Sequence, residues 1–406
     1  MQNTVEVFFL CRAPSGREKR LRPARRSTVQ SKECSTVEFL YGNLLQLDVR
    51  MIIMWAIGGL LIYLAIKKDM EPSLLLPMGF GAILVNLPNS GAVTQGAEEG
   101  VLDVLYNAGI ANELFPLLLF VGIGAMIDFG PLLENPKLLI FGAASQFGIF
   151  FTLSLASLCG FGLHDAASIA VIGAADGPTA IFVSQWYASQ YMGAIMVAAY
   201  SYMALVPIIQ PPVIKLLTTK KERTIHMSYT QGQVSKTTRI LFPIVVTILA
   251  GLVAPRSVAL VGFLMFGNLI RECGVLNSLS DTAQNVLANL ITIFLGITIA
   301  SQMQADKFLA PQTLMILGLG LVAFIFDTAG GVLFAKLLNL FLKKKINPMI
   351  GACGISAFPM SSRVVAKMAL AEDKGNFLLM QAAGVNVGGQ VASVIAGGLI
   401  LNLIAR

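Results

Sequence analysis

The chain has 406 residues, of which 55% are hydrophobic and only 13% charged, and its mean hydropathy is +0.74. Soluble domains carry roughly 25% charged residues, so the composition excludes a soluble enzyme and defines an integral membrane protein. The net charge of +7 is carried largely by short segments between apolar runs, which reads as cytoplasmic-loop bias rather than nucleic-acid affinity.

Residues 1–38 differ from the rest. The run Arg17 to Arg26, REKRLRPARR, is a solvated basic stretch, and the preceding VEVFFL is too short for the apolar core of a signal peptide. This basic arm reads as poorly ordered, either a lipid-headgroup contact or sequence ahead of an internal start at Met51, which opens the first good span. From there, apolar runs near the ~20 residues that cross a bilayer recur at 51–66, 72–88, 114–128, 137–160, 165–186 and 190–217. After a basic loop they continue at 238–254, 256–272, 284–303, 311–338, 346–366 and 377–404. Gly91 to Asn112 carries Glu98, Glu99 and Asp103 among spaced apolar residues and predicts an interfacial helix. The expected fold is an all-α polytopic membrane protein of about ten spanning helices plus two broken or re-entrant segments.

The first broken segment is Ile169 to Ser184, IAVIGAADGPTAIFVS. Asp176 there is an acid at membrane depth, costly unless it faces protein, water or a cation. Gly173, Gly177 and Pro178 break the helix beside it, and backbone carbonyls freed at that depth must line a buried cavity. Two readings are open: a cation site, or a kinked helix whose acid pairs with a base from a neighbour. The second broken segment, Ile346 to Met368, holds Asn347, Gly351, Ser356, Ser361, Ser362 and Arg363 among glycines and prolines. Its amide, hydroxyl and carbonyl oxygens suit a small hard cation. A third strip, Ala382 to Ser393, adds Asn386, Gln390 and Ser393. Ser361, Ser362, Gln390 and Ser393 read first as helix-packing residues; Asn347 and Asn386 need several partners or a cation. Asp327 is a further intramembrane acid without an assigned role. The five cysteines and the histidines His164 and His226 suggest neither a disulfide framework nor a metal cluster.

Lys215 to Arg239 carries the densest inter-span cluster of bases and is placed in the cytoplasm. If the Asp176 segment enters and returns on one side, Lys67, Lys68 and Lys137 also fall inside. The same choice inverts one copy of an internal repeat relative to the other. Phe120 to Leu133 resembles Phe294 to Leu309, and GAADGPTA (Gly173 to Ala180) has a counterpart in GISAFPMS (Gly354 to Ser361). Inverted repeats with discontinuous helices are a recurring plan of ion-coupled transporters. The organisation expected is the arm 1–38, N-terminal spans and interfacial helix 39–112, a first repeat 113–217, a cytoplasmic basic loop 218–237, connecting spans 238–283 and a second, inverted repeat 284–406.

Four stretches carry a family resemblance: KDMEPSLLLPMGFGAILVNLP from Lys68, GAADGPTAIF from Gly173, INPMIGACGISAFPMSSRV from Ile346, and GVNVGGQ. From about residue 39 onward the chain resembles the beta subunit of the sodium-pumping, biotin-dependent decarboxylases, the carboxybiotin decarboxylases of the oxaloacetate, glutaconyl-CoA and methylmalonyl-CoA complexes. The resemblance implies decarboxylation of carboxybiotin presented by a biotin-carrier subunit, coupled to sodium export and proton consumption. Sodium and biotin are the implied cofactors, with the biotin attached to the partner. A carboxyltransferase (alpha) subunit and a small membrane-anchoring subunit are implied partners, in a prokaryotic inner membrane, with a homo-oligomer open and no nucleic acid. It assigns Asp176, Asn347, Ser356 and Asn386 to sodium, Asp176, Tyr202 and Arg363 to catalysis and proton handling, and Arg363 and Ser356 to carboxybiotin, with Gly351 as support. Residue by residue, Arg363 fits a cytoplasmic mouth that attracts a carboxylate, or a cation snorkelling at a helix end. Tyr202 is a proton relay or a packed aromatic. An autonomous sodium/proton antiporter or sodium/solute symporter is the alternative function.

Overall fold

The computed structural model describes residues 45–68, 71–95, 98–227 and 234–404; the basic arm 1–38, with Cys11 and Cys34, lies outside them. Among the described residues the regular structure is helical, as backbone at membrane depth must be when it cannot bond to water. The helices are α1 (Val49–Lys68), α2 (Pro72–Val85), α3 (Val101–Leu105), α4 (Leu114–Met126), α5 (Pro136–Leu158), α6 (Leu163–Ala170), α7 (Gly177–Trp186) and α8 (Met192–Leu217). They continue as α9 (Lys236–Val253), α10 (Val258–Cys273), α11 (Asn277–Gln302), α12 (Pro311–Phe341), α13 (Met360–Glu372) and α14 (Leu379–Leu403).

Seven of these are long and apolar enough to cross a membrane, and eight if Val101–Ile110 and Leu114–Met126, bent by 62°, count as one. The sequence suggests about ten, because it counts α2, α4 and α10, each of which has fewer than 18 residues. The segment read as interfacial is short: α3 runs into a π-helical turn, Tyr106–Ile110, and is the outer arm of that bend.

Burial differs widely among the spanning helices. The apolar window of α9 is 11% buried and shows Leu241, Ile244, Val245, Ile248 and Leu252 to the outside, whereas that of α14 is 83% buried. An apolar helix face left bare in this way is a lipid face. α14 is therefore the central helix.

Two hairpins approach α14 from opposite ends. The first is α6, a 3-10 turn Val171–Ala174, and α7. Its two ends lie side by side, since the His164 ring stacks on Tyr187 at 4.9 Å and Ser189 Oγ donates to Asp165 Oδ1 at 2.5 Å. Tyr187 also donates to Ile400 O at 3.1 Å, near the C-terminal end of α14. The second hairpin is the 3-10 turn Pro348–Gly354, a tip at residues 355–359, and α13. Its ends both meet Arg223, whose carbonyl accepts from Asn347 Nδ2 at 2.8 Å and whose Nε pairs with Glu372 at 2.7 Å. That corner is tied to the other end of α14 by Gln381, which donates to Met227 O at 3.0 Å. Gln381 and Ile400 are about 28 Å apart along the helix, close to the thickness of a bilayer core. Each hairpin is therefore re-entrant, and the two tips meet halfway along α14.

Candidate functional site: a carboxylate between two hairpin tips

Asp176 stands at the tip of the first hairpin because the chain cannot continue a helix there. The 3-10 turn ends at Ala174, Ala175 takes a left-handed φ of 52°, and Asp176 is extended at φ −125°, ψ 93°. A non-glycine residue in that left-handed region costs of order 1 kcal/mol or more, which the packing around it must offset. Asp176 then N-caps α7, with Pro178 in the first turn, where its missing N–H is harmless. Gly177 permits a close approach: a methyl there would lie 2.3 Å from Cζ of Tyr200.

The carboxylate is 3% exposed. Its Oδ2 accepts from Thr179 Oγ1 at 2.7 Å, Ser393 Oγ at 3.1 Å, Ser356 Oγ at 3.4 Å and Gln390 Nε2 at 3.5 Å. The hydroxyls of Ser356 and Ser393 are 2.6 Å apart, and Ser356 N–H donates to Ala174 O at 2.9 Å. One acid, three hydroxyls and an amide thus come from both hairpins and the middle of α14. Asp176 makes no ion pair with any described lysine, arginine or histidine. The reading in which a fixed base neutralises it is set aside for the described residues.

The donor set has a particular chemistry. Hydroxyls donate to a bare carboxylate, yet each keeps lone pairs and can turn them to a metal ion without moving its backbone. Asn386, four and seven residues before Gln390 and Ser393, lies on the same face of α14. Its Nδ2 donates to Ile355 O at 2.8 Å and Cys353 O at 3.2 Å, while its Oδ1 is buried without a hydrogen-bond partner. The Tyr200 hydroxyl is likewise buried and without one.

The other residues singled out by sequence lie elsewhere. Asn347 is fully buried at the mouth of the second hairpin, where its Nδ2 donates to Arg223 O and to Ile225 O at 3.0 Å and its Oδ1 caps Met349 N–H at 3.1 Å. Tyr202 donates to Leu317 O on α12. It is two residues from Tyr200, and on a helix that places it on nearly the opposite side. Arg363 is exposed on α13, between the tip and the Arg223 corner, and makes no ion pair among the described residues. Gly351 abuts Gly331 of α12, where a methyl would lie 2.0 Å from the facing carbonyl oxygen. Ser361 bonds Gln210, and Ser362 its own helix. The sequence does not single out Thr179 or Tyr200, and it suggests packing first for Gln390 and Ser393. The signal for the last two is their i, i+4, i+7 spacing from Asn386, and for Thr179 its N3 position after a capping acid.

An uncompensated carboxylate at membrane depth, held by reorientable hydroxyls where two opposed re-entrant hairpins meet, defines a membrane protein that moves a cation. Residues 50–404 match the family described as Na+-transporting oxaloacetate decarboxylase beta subunit, and the chain belongs to that family. It is 45% identical to the oxaloacetate decarboxylase beta chain of Klebsiella pneumoniae, over 89% of this chain and 97% of that protein. It is 49% identical to the methylmalonyl-CoA decarboxylase subunit beta of Propionigenium modestum, over 88% and 95%, and 49% identical to that of Veillonella parvula, over 87% and 93%. The chain is thus a membrane subunit of a sodium-transporting decarboxylase, which implies partner subunits and biotin-dependent chemistry. These relatives are all decarboxylase subunits, and none is an autonomous transporter.

Proposed function

We propose that this subunit decarboxylates carboxybiotin presented by a biotin-carrier subunit and uses that step to export sodium, consuming a proton, in the inner membrane of a prokaryote. The observation that carries the reading is Asp176, a buried acid with three hydroxyl partners and no fixed base among the described residues. Asp176, Ser356 and Asn386 hold the ion, with Ser393, Thr179 and the backbone of both tips beside them. Replacing part of sodium's water shell with these oxygens balances its charge with a single negative one.

Arg363 draws in the carboxylate of carboxybiotin through charge-assisted hydrogen bonds, from an exposed position on α13. Tyr202 takes part in proton handling. Asn347 ties the mouth of the second hairpin to the loop 218–227 through its Nδ2, and a place on the sodium path requires its Oδ1 to leave the Met349 N–H. A carboxyltransferase subunit and a small membrane-anchoring subunit complete the complex. The two hairpins, entering from opposite ends of α14, support an inverted repeat. Its two halves rock against one another around the fixed site, giving alternating access.

The test is Asp176→Asn in the assembled complex reconstituted in liposomes. Sodium-stimulated decarboxylation and sodium uptake should both fall by about two orders of magnitude or more, the scale set by removing a desolvated charge partner. Full sodium stimulation in that variant overturns the site assignment. Sodium/proton exchange by the purified chain alone, without a carrier, would favour the autonomous transporter.

A further inference from the structure

A second buried acid lies close to the first hairpin. Asp327 on α12 is 0% exposed, with no ion pair among the described residues. Its Oδ1 accepts from the Ile149 N–H at 3.2 Å, with the Gly148 N–H alongside. Those donors belong to the half of α5 that restarts as a helix after Gln146, so the acid caps a broken helix. Its Oδ2 has no hydrogen-bond partner and lies against Gly173, where a methyl would be 2.4 Å from it. Gly173 is in the 3-10 turn that ends two residues before Asp176. An apolar side chain would fill this place without stranding a charged oxygen, so packing alone does not explain the acid.

The second hairpin is supported in a matching way. Gln146, at the break in α5, donates from Nε2 to Gly354 O at 3.4 Å, two residues ahead of Ser356. Each hairpin is thus braced just before its functional tip by spanning helices from the other half of the chain, the first by Asp327 and the second by Gln146 together with Ser145 Oγ on Gly351 O at 3.2 Å and Gln210 Nε2 on Ala352 O at 2.7 Å. Asp327 differs in that one carboxyl touches two breaks together.

We propose that Asp327 is a positioning residue for the cation site: by capping α5 and seating the Gly173 turn, it sets the place of the Asp176 carboxylate against Ser356 and Ser393. The inference rests on the reading that Asp176 holds sodium. Asp327 acts through the turn rather than on the ion, since glycine backbone walls both of its oxygens.

The experiment follows thermal unfolding of the purified full chain in detergent as sodium chloride replaces choline chloride at constant ionic strength. A bound ion stabilises the folded state according to its affinity. Asp327→Ala should move the midpoint of the sodium effect to about tenfold higher concentration, and Asp327→Asn should restore it to within about threefold, because asparagine and aspartate cap helices about equally well. An unchanged midpoint in Asp327→Ala overturns the inference, and so does an asparagine variant as weak as alanine, which would make the charge itself the active feature. If the alanine variant does not fold, Gly173→Ala decides: it presses the same turn while leaving the acid in place, so a raised midpoint supports the inference and an unchanged one overturns it. Asp176→Asn, run in parallel, separates the two ideas. If its sodium effect persists, the site reading falls and takes the inference with it; if the effect vanishes while Asp327→Ala matches the wild type, only the inference falls.

Discussion

The main-chain N–H of Ser356 reaches the carbonyl oxygen of Ala174 at 2.9 Å, so the two hairpin tips are joined by backbone independently of the Ser356 hydroxyl on Asp176. The two links can be cut separately. Ser356→Ala removes the hydroxyl and keeps the backbone bond, so the tips should stay together. That bond belongs to the ion-free site, so its loss alone would not weaken sodium; the substitution also removes a ligand oxygen from the ion, a loss of about 1.5 kcal/mol on the scale of contacts to charged groups. The sodium concentration giving half-maximal decarboxylation in the assembled complex should rise by about tenfold. An unaltered sodium requirement would take Ser356 out of the site.

Asn386 joins α14 to the second tip through two donated bonds, to Cys353 O and Ile355 O. Asn386→Ala leaves both carbonyls buried and unpaired, at about 1–3 kcal/mol for each such group. It should lower the unfolding temperature by several degrees and also weaken sodium binding. Asn386→Ser, which keeps one short donor and acceptor, should recover part of each. The check is melting temperature measured with and without sodium for both variants.

The acid and both helix breaks were legible in the sequence because their cost is local: a charge in an apolar run, and glycines and prolines within it, need no knowledge of neighbours. The partners of the acid were less so. Ser393 and Gln390 lie in a helix of small residues, where packing is the commoner role, and only the tertiary fold turns their face to Asp176. Two tyrosines show the same limit. The resemblance singles out Tyr202, whereas the fold stacks Tyr200 over Gly177, and two positions along a helix separate the two environments. Asn347 and Asn386 look alike as buried amides. Only the structure shows one spent on loop carbonyls and the other with a free buried oxygen.

Asn347 therefore gives a prediction that tells a latch from an ion ligand. Its amide, with Asn376 Nδ2 at 3.1 Å, holds the Arg223 carbonyl, and Gln381 holds Met227 O. Asn347→Ala should free residues 218–227, seen as faster tryptic cleavage after Lys220, Lys221 and Arg223 and faster amide exchange in that stretch. In the latch role, maximal turnover falls while the half-saturating sodium concentration stays within about twofold, the scatter expected where no direct contact is lost. A large rise in that concentration without extra cleavage would identify Asn347 as an ion ligand instead.

The same loop should respond to acid. Burial alone would raise the Glu222 carboxyl, but the backbone and hydroxyl of Thr219 and the Lys336 ammonium outweigh it and hold the group below its ordinary 4.5. Asp373 is also held below its ordinary 3.8, by the Gly375 N–H first and by His226 second. A carboxyl whose folded value is depressed lends stability that is complete above its unfolded value and is lost as pH falls through the folded one. The strap should hold unchanged from neutral pH down to about pH 5, then loosen below about pH 4 as these two acids protonate. Amide exchange in 218–227, corrected for the intrinsic pH dependence of exchange, follows it directly. Glu222→Gln should remove most of the acid-dependent step, because the glutamine keeps an acceptor for Thr219 but carries no charge for Lys336 at any pH. Loosening that begins above about pH 5 would overturn the assignment to these two carboxylates.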